Sequence, residues 1–278
     1  KSADLRHVVQ TALERNRKKY DLQSKQLKGT EKRDKYKVYG ELINTYGYNL
    51  EPGSKELTAL NYYTNEEITI PLDPTQTPGE NAQRYFAKYN KQKRTFEALT
   101  ELIQETADDI QYLESISNAL DIALSEADLA QIKEELMQSG YIRRKHTKKK
   151  VKLTSKPMHY ISSDGYDMYV GKNNLQNEEL TFSFANGNDW WFHAKGAPGS
   201  HVIVKSVGDE LPDRTFEEAG RLAAYYSKNR GADKVEIDYI QKKHVKKPNG
   251  AKPGFVVYYT NYSLIMDSDI SNIKNVQD

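Results

Sequence analysis

Apolar or small side chains recur at Phe96, Leu99, Ile103, Thr106, Ile110, Leu113, Ile116 and Leu120, in steps of three and four. A seam of that spacing lies along one face of a long α-helix and needs a partner helix to cover it. Pro78 suits an early helical position, so a helix is expected over residues 79–125. Residues 2–46 have a sparser helical pattern, anchored by Leu5, Val9, Ala12, Leu27, Leu42, Ile43 and Tyr46. Gly29 and Gly40 weaken that stretch locally by about 1 kcal/mol each. Each arm is about 45 residues, or roughly 65–70 Å at the α-helical rise. Residues 1–37 carry 12 basic and 5 acidic side chains, whereas residues 97–135 carry 1 basic and 11 acidic. Arms of matched length and opposed charge suit one antiparallel coiled-coil hairpin. Charge can set their orientation, although isolated surface pairs add only about 0–1 kcal/mol each.

Between the arms, Leu57–Tyr63 and Glu67–Leu72 flank Thr64-Asn65-Glu66, which reads as a small β-hairpin near residues 57–72 at the coiled-coil tip. Two strands alone are marginal, so this hairpin must pack on the helix ends. A shorter helix is expected from about Ser125 to Gly140, with an acidic first turn and a glycine C-cap. Residues 143–156 then hold eight Lys or Arg and no acid. That run is either a solvated linker or an arm that contacts phosphates and releases counterions. From 157 onward, strand-like runs fall at Met158–Ser162, Tyr166–Lys172, Trp190–Lys195, His201–Ser206, Lys234–Ile240 and Phe255–Thr260. Helical patterns fall near Asn174–Thr181 and Arg214–Asn229. The expected fold class is α+β: the long helical hairpin with its β tip over 1–142, a basic linker over 143–156, and a mostly antiparallel sheet domain with helices over 157–278.

The net charge of +2 conceals an asymmetry: residues 1–142 hold 19 basic and 23 acidic groups, and residues 143–278 hold 22 and 16. The second half is therefore the basic one, at +6. There is no Cys, which excludes disulfides and thiolate metal sites and lends no support to secretion. No run approaches the roughly 18–20 apolar residues that span a bilayer.

Both Trp residues sit in Asp189-Trp-Trp-Phe-His-Ala-Lys195, followed by Gly196-Ala-Pro-Gly-Ser-His201. Pro198 and Gly199 suit a tight turn between two extended segments. Strand alternation puts Trp190, Phe192 and Ala194 on one face and Trp191, His193 and Lys195 on the other. One face can supply core. The other offers an aromatic plane beside cationic groups, suited to base stacking and phosphate contact. The competing reading places both Trp residues in the core. Alternation fixes only that they oppose each other; the reading taken forward puts Trp190 inside and Trp191 partly exposed. A second basic cluster, Lys242, Lys243, His244, Lys246 and Lys247, precedes Pro248-Asn-Gly250 and is either a solvated loop tip or a phosphate-binding edge.

No phosphate-binding glycine loop, nucleophile elbow or zinc-protease motif occurs. His193 and His201 could face each other, but a metal site would need a third ligand such as His159 or Asp189 with a fixed second layer of partners. No cofactor, metal or catalytic residue is expected.

Asp189 to Lys195 followed by Pro198-Gly-Ser-His201 resembles the signature of the NFACT-R domain. Tyr169-Val-Gly-Lys-Asn-Asn174 and Asn177 match that family's second element, with Lys172 where Arg is common. Gly40-Glu-Leu, Ile70-Pro-Leu-Asp73, Asn81-Ala-Gln, Tyr89-Asn-Lys91, Tyr112-Leu-Glu114 and Glu134-Glu-Leu…Gly140-Tyr-Ile142 resemble its middle coiled-coil region. The chain is thus similar to the C-terminal half of the RqcH/NEMF family, whose bacterial members were long labelled fibronectin-binding proteins. The resemblance implies a ribosome quality-control factor that binds an obstructed large ribosomal subunit (rRNA and ribosomal proteins) and tRNA. It implies support of C-terminal alanine tailing of stalled nascent chains, with peptide-bond chemistry left to the ribosome; a binding protein, not an enzyme, is therefore expected. Nucleic-acid contacts are expected from Arg143, Arg144, Lys145, Lys148, Lys149, Lys150, Lys172, Asn173, Asn174, Trp191, His193, Lys195, His201, Lys242, Lys243, Lys246 and Lys247. The implied location is cytoplasmic. The alternative is a fibronectin- or fibrinogen-binding surface adhesin, including a surface fraction of the same protein.

Overall fold

A computed structural model describes residues 1–146 and 151–276. It is a mixed α+β structure with a long N-terminal helix and a large antiparallel sheet. The chain divides into two compact units, Asn16–Asp108 and Lys1–Arg15 with Asp109–Asp278. Helix α1 spans Ser2–Lys28 and α2 spans Arg33–Tyr46. Strands β1 (Glu56–Asn61) and β2 (Glu66–Pro71) precede the 45-residue α3 (Pro78–Ile122) and then α4 (Glu126–Gln138). Among the described residues, no helix is long and apolar enough to cross a membrane.

In the unit Asn16–Asp108, helices pair antiparallel. Thr106 Oγ1 donates to Gln23 Oε1 at 2.9 Å, and the Arg33 guanidinium lies 4.1 Å from the Phe96 ring centre. Tyr36 stacks on Tyr85, and Gly40 lets the Phe86 ring approach so closely that a Cβ would meet it at 2.7 Å. The first arm is broken into two helices where a single run was expected. Gly29 carries the break, and the Thr30 hydroxyl satisfies the Leu27 carbonyl at 2.6 Å. Tyr46 is 37% exposed and does not anchor the helix as expected. The β1–β2 hairpin forms as read, in register from Glu56↔Pro71 to Asn61↔Glu66, and its inner face (Leu57, Ala59, Ile70) packs on Leu42, Ile43, Ala82 and Tyr85. Helix α3 opens on a reciprocal cap: Thr77 Oγ1 accepts from the Glu80 N–H at 3.1 Å, and Glu80 Oε1 from the Thr77 N–H at 3.2 Å.

In the other unit, Leu5, Val9, Ala12 and Leu13 pack on Leu113, Ile116 and Leu120, and α4 adds Ile132 and Leu136. Arg6 Nη1 meets Asp121 Oδ1 at 2.8 Å. Of the seam positions, Leu113 and Ile116 are fully buried, whereas Phe96, Ile103 and Ile110 are only partly so. Helix α4 begins near Ser125 as expected, with that side chain accepting from the Asp128 N–H as its cap, and it ends just before Gly140, whose φ of +83° suits glycine.

The sheet contains β3 (Met158–Ile161), β4 (Asp167–Val170), β5 (Trp190–Ala194), β6 (Val202–Val204), β7 (Val235–Gln241), β8 (Tyr262–Met266) and β9 (Lys274–Val276). Its order is β8-β7-β5-β6-β4-β3-β9, with every neighbouring pair antiparallel. Helix α5 (Asn174–Glu179) runs into a π-helical turn at Leu180–Phe184, and α6 (Asp213–Tyr225) crosses the sheet. Alternation sends Phe192, Ala194, Val202 and Val204 toward Leu222 and Ala223 of α6. It sends Trp191, Ile203 and Ile240 to the opposite face, where Leu180, Ala185 and Val245 cover them. Both faces of the central strands are therefore dry, each buried large side chain contributing about 1.5–3 kcal/mol.

The expected strand at Phe255–Thr260 does not form. Val257 makes only an isolated bridge to Lys246, while Val256 and Tyr258 lie over the Trp191 face as its cover. Strands β8 and β9 were not anticipated.

Candidate nucleic-acid interface

The residues expected to contact RNA fall into three groups. The first is internal. Asn173 caps α5 by accepting from the Gln176 N–H at 2.9 Å, and its amide donates to Gln131 Oε1 of α4 at 2.8 Å. The Asn174 amide donates to Ser115 Oγ of α3 at 2.8 Å and to Glu135 Oε2 at 3.0 Å. Lys172 Nζ reaches Asp128 Oδ1 at 3.1 Å. Asn177 Oδ1 accepts from the His201 N–H at 3.1 Å, and a Cβ on Gly171 would sit 1.9 Å from that oxygen. Expected as RNA contacts, Lys172, Asn173 and Asn174 instead bind α5 to α3 and α4. Their polar groups are consumed there.

Burial pushes the Asp128 carboxyl up, but the Leu124 N–H, Ser155 and Lys172 outweigh it, so its pKa falls below the ordinary value. Glu135 shows the reverse balance. Burial dominates the bonds from Tyr112 and Asn174, and its pKa rises.

The tryptophan assignment is also corrected. Trp191 is 1% exposed, and Trp190 is the half-buried member, against Phe216, Tyr239 and Tyr262. The cause is the second cover of the sheet, which occludes the face left open by strand alternation. Behind that cover His193 stacks on Trp191 at 5.7 Å, and His201 meets Trp191 edge-on at 5.3 Å. His201 Nδ1 lies 2.8 Å from Thr181 Oγ1. Burial lowers both histidines, His201 to about 3, with His193 adding to the shift. Trp191 and His201 thus present no cation or stacking plane to an RNA at the surface, while His193 is partly buried. Among the described residues, no group of three or more His, Asp or Glu side chains could hold a metal ion.

The second group is exposed but neutralised. Lys195 pairs with Glu236 at 3.1 Å, Arg144 with Glu134 at 2.6 Å, and Lys247 with Glu178.

The third group is free. Lys242, Lys243 and Lys246, on and just after a short 3-10 turn at Lys242–His244 that follows β7, form no ion pair among the described residues. Lys243 and Lys246 are exposed, as are Arg143 and Lys145. Lys148, Lys149 and Lys150 lie outside the described residues.

The turn carrying these lysines is fixed. The Lys242 N–H donates to the Asp189 carbonyl at 2.8 Å, and the Lys243 N–H to the Gly187 carbonyl at 3.0 Å. Asp189, 2% exposed, accepts from Lys205 Nζ at 2.6 Å and from the Ser206 N–H at 3.0 Å. Burial raises its carboxyl, but Lys205 and the backbone N–H groups win, and its pKa is lowered. Asp189 is thereby the anchor of the basic turn. Sequence reasoning missed Phe184 and Lys205 beside it: the Lys205 ammonium lies 4.6 Å from the Phe184 ring centre, and Phe184 is 41% exposed. The only hint was an aromatic immediately after a helical pattern.

The family described as NFACT N-terminal and middle domains matches residues 1–155, and the NFACT protein RNA binding domain matches residues 156–260. A protein of Streptococcus pneumoniae named Rqc2 homolog RqcH is 41% identical over 99% of this chain and 50% of its own length. The Bacillus subtilis protein of the same name is 39% identical over 97% of this chain and 48% of its length. This chain therefore spans about half the length of the curated relatives it matches. A solved structure, the C-terminal of the fibronectin/fibrinogen-binding protein from Streptococcus suis, superposes with a TM-score of 0.77 at 37% identity, covering 98% of this chain and 97% of that one.

Proposed function

The chain belongs to the NFACT family, and from that premise we propose that it is the RNA- and ribosome-binding part of a ribosome quality-control factor. In this reading it engages rRNA and tRNA on an obstructed large subunit and supports alanine tailing of stalled chains. It acts by binding, in the cytoplasm, and the bond-making chemistry stays with the ribosome. The observation that carries the RNA role is the fixed basic turn: among the described residues Lys242, Lys243 and Lys246 stand without acidic partners, whereas the nearby Lys195, Lys205 and Lys247 are paired. Unpaired cations held in place by backbone hydrogen bonds are suited to neutralising phosphates. The helical arms are read as a coiled coil that reaches ribosomal components. Support comes from the antiparallel contacts Gln23–Thr106 in one unit and Arg6–Asp121 in the other.

A second reading, an adhesin for fibronectin or fibrinogen, is favoured by the name of the solved Streptococcus suis relative. Co-sedimentation with purified large subunits at rising salt, run beside binding to immobilised fibronectin, separates the two. The quality-control reading expects pelleting that falls steeply with salt and weakens in K242A/K243A/K246A. Fibronectin capture without subunit pelleting would overturn it.

A further inference from the structure

Beside the basic turn a cleft opens between the turn at 185–189 and the segment after β6. Asn186, Asn188, Asp189, Lys205, Val207 and Gly208 line it. Its floor is rigid and electrically quiet, because the buried Asp189 carboxylate is matched by Lys205 at 2.6 Å and by the Asn186 N–H at 2.7 Å. The side-chain amides of Asn186 and Asn188 stand at exposed positions on one side. Lys243 guards the mouth, with Nζ 3.5 Å from Asn188 Oδ1. Beside the lining Lys205, Phe184 meets Tyr169 in a T-shaped contact at 4.8 Å, and on the rim Val207 is 78% exposed at a φ of 53°. A β-branched side chain rarely holds that conformation, and here it keeps an apolar group in water at the rim of a polar cleft.

We propose that this cleft takes one unpaired nucleotide of an RNA strand. The base stacks on Phe184, its edge hydrogen-bonds to the Asn186 and Asn188 amides, and the adjoining phosphate lies against Lys243. Each carboxamide offers a donor and an acceptor, the combination that matches a base edge. A planar group must leave the duplex stack to enter, so single-stranded RNA is the ligand class. The inference rests on the RNA-binding reading above and gives it a specific recognition element distinct from the phosphate-binding lysines.

Fluorescence anisotropy with a short unstructured RNA and with a blunt RNA duplex tests it on the whole chain. Phe184→Ala is expected to weaken the single strand by about tenfold or more, the scale of one stacked base, and Asn188→Ala by roughly two- to tenfold, the scale of one hydrogen bond, both leaving the duplex unchanged. If Phe184→Ala lowers the melting temperature, Asn188→Ala decides, since its side chain is exposed. A 4-thiouridine strand should cross-link to the peptide holding Phe184–Asn188. Parental affinity in both variants, or equal loss on single strand and duplex, overturns the cleft while the basic turn can still bind. Failure of the parent chain to bind any RNA overturns the RNA reading and the cleft with it.

Discussion

Lys172 Nζ closes on Asp128 Oδ1 at 3.1 Å, and only 4% of that aspartate side chain is exposed. The same oxygen accepts from Ser155 Oγ at 2.7 Å, and Oδ2 accepts from the Leu124 N–H at 3.0 Å. A lysine that a motif search reads as a phosphate ligand is therefore a bolt between α4 and the start of α5.

Removing one partner of such a pair leaves the other uncompensated. Asp128→Ala is expected to cost about 3–5 kcal/mol in urea unfolding. Adding Lys172→Met should recover part of that loss, because the remaining charge goes with it. RNA affinity per folded molecule should stay at the parental value in both. A drop in affinity without a drop in stability would return Lys172 to the RNA surface.

The two tryptophans should differ in the order set by their burial. Trp191→Ala is expected to cost about 3–5 kcal/mol, and Trp190→Ala, which opens a partly solvated site, should cost less. Thermal melts rank them directly. A Trp191 variant as stable as the parent would contradict the second cover over the sheet.

That cover also marks where the sequence stops being legible. The two strands around the Trp pair could be read from alternation, and the structure pairs Trp191 with Ile203, but the expected tight turn at Pro198-Gly199 does not form: Gly196 takes the positive φ and Gly199 bridges Ser227. Part of the α3 seam could be read from its period: Leu113, Ile116 and Leu120 are buried, and the Thr106 hydroxyl donates to Gln23. Burial on both faces of β5 could not. It depends on Leu180 and Val245, far apart in sequence and brought together only by the fold. The same holds for Asn173 and Asn174: polar residues in a loop-to-helix motif look available until a helix of distant sequence supplies Gln131 and Glu135. Strand β9, three residues paired to β3, carries too short a pattern to register. The lysines of the 242–246 turn were legible as a cluster, and the structure adds that Asp189 fixes them.

The histidines on the Trp191 face, His201 buried and His193 partly buried, predict an acid limb in stability. His201 is lowered to about 3 and His193 is lowered too, from the ordinary 6.5. Below 6.5 the unfolded chain takes up protons that the folded one refuses, so stability falls as pH drops from about 6.5 toward 3. Each such histidine contributes a slope of up to about 1.4 kcal/mol per pH unit. Glu135 acts in the opposite sense: its raised pKa adds stability that is lost as pH rises through its folded value. Asp128 and Asp189 lie below 3.8 and enter only in stronger acid. Chemical denaturation of H193Q/H201Q between pH 6.5 and 5 should show a flattened limb. An unchanged slope would assign it to other groups.

The basic run and the basic turn should separate in their salt dependence. Substituting Lys148, Lys149 and Lys150 together by Ala should flatten the log–log salt slope of RNA binding by up to about 0.7–0.9 for each phosphate left unneutralised. K242A/K243A/K246A should do the same on its own, and the two effects should add. An unchanged slope in the first variant would make the run a solvated linker and leave the turn as the anchor.

Chemical footprinting of rRNA on purified large ribosomal subunits tests the central claim most directly. The account predicts protections by the parent chain that fade with salt and vanish in K242A/K243A/K246A while the fold stays intact. A subunit left unprotected at low salt by the folded parent chain, or protections indifferent to those lysines, would contradict it.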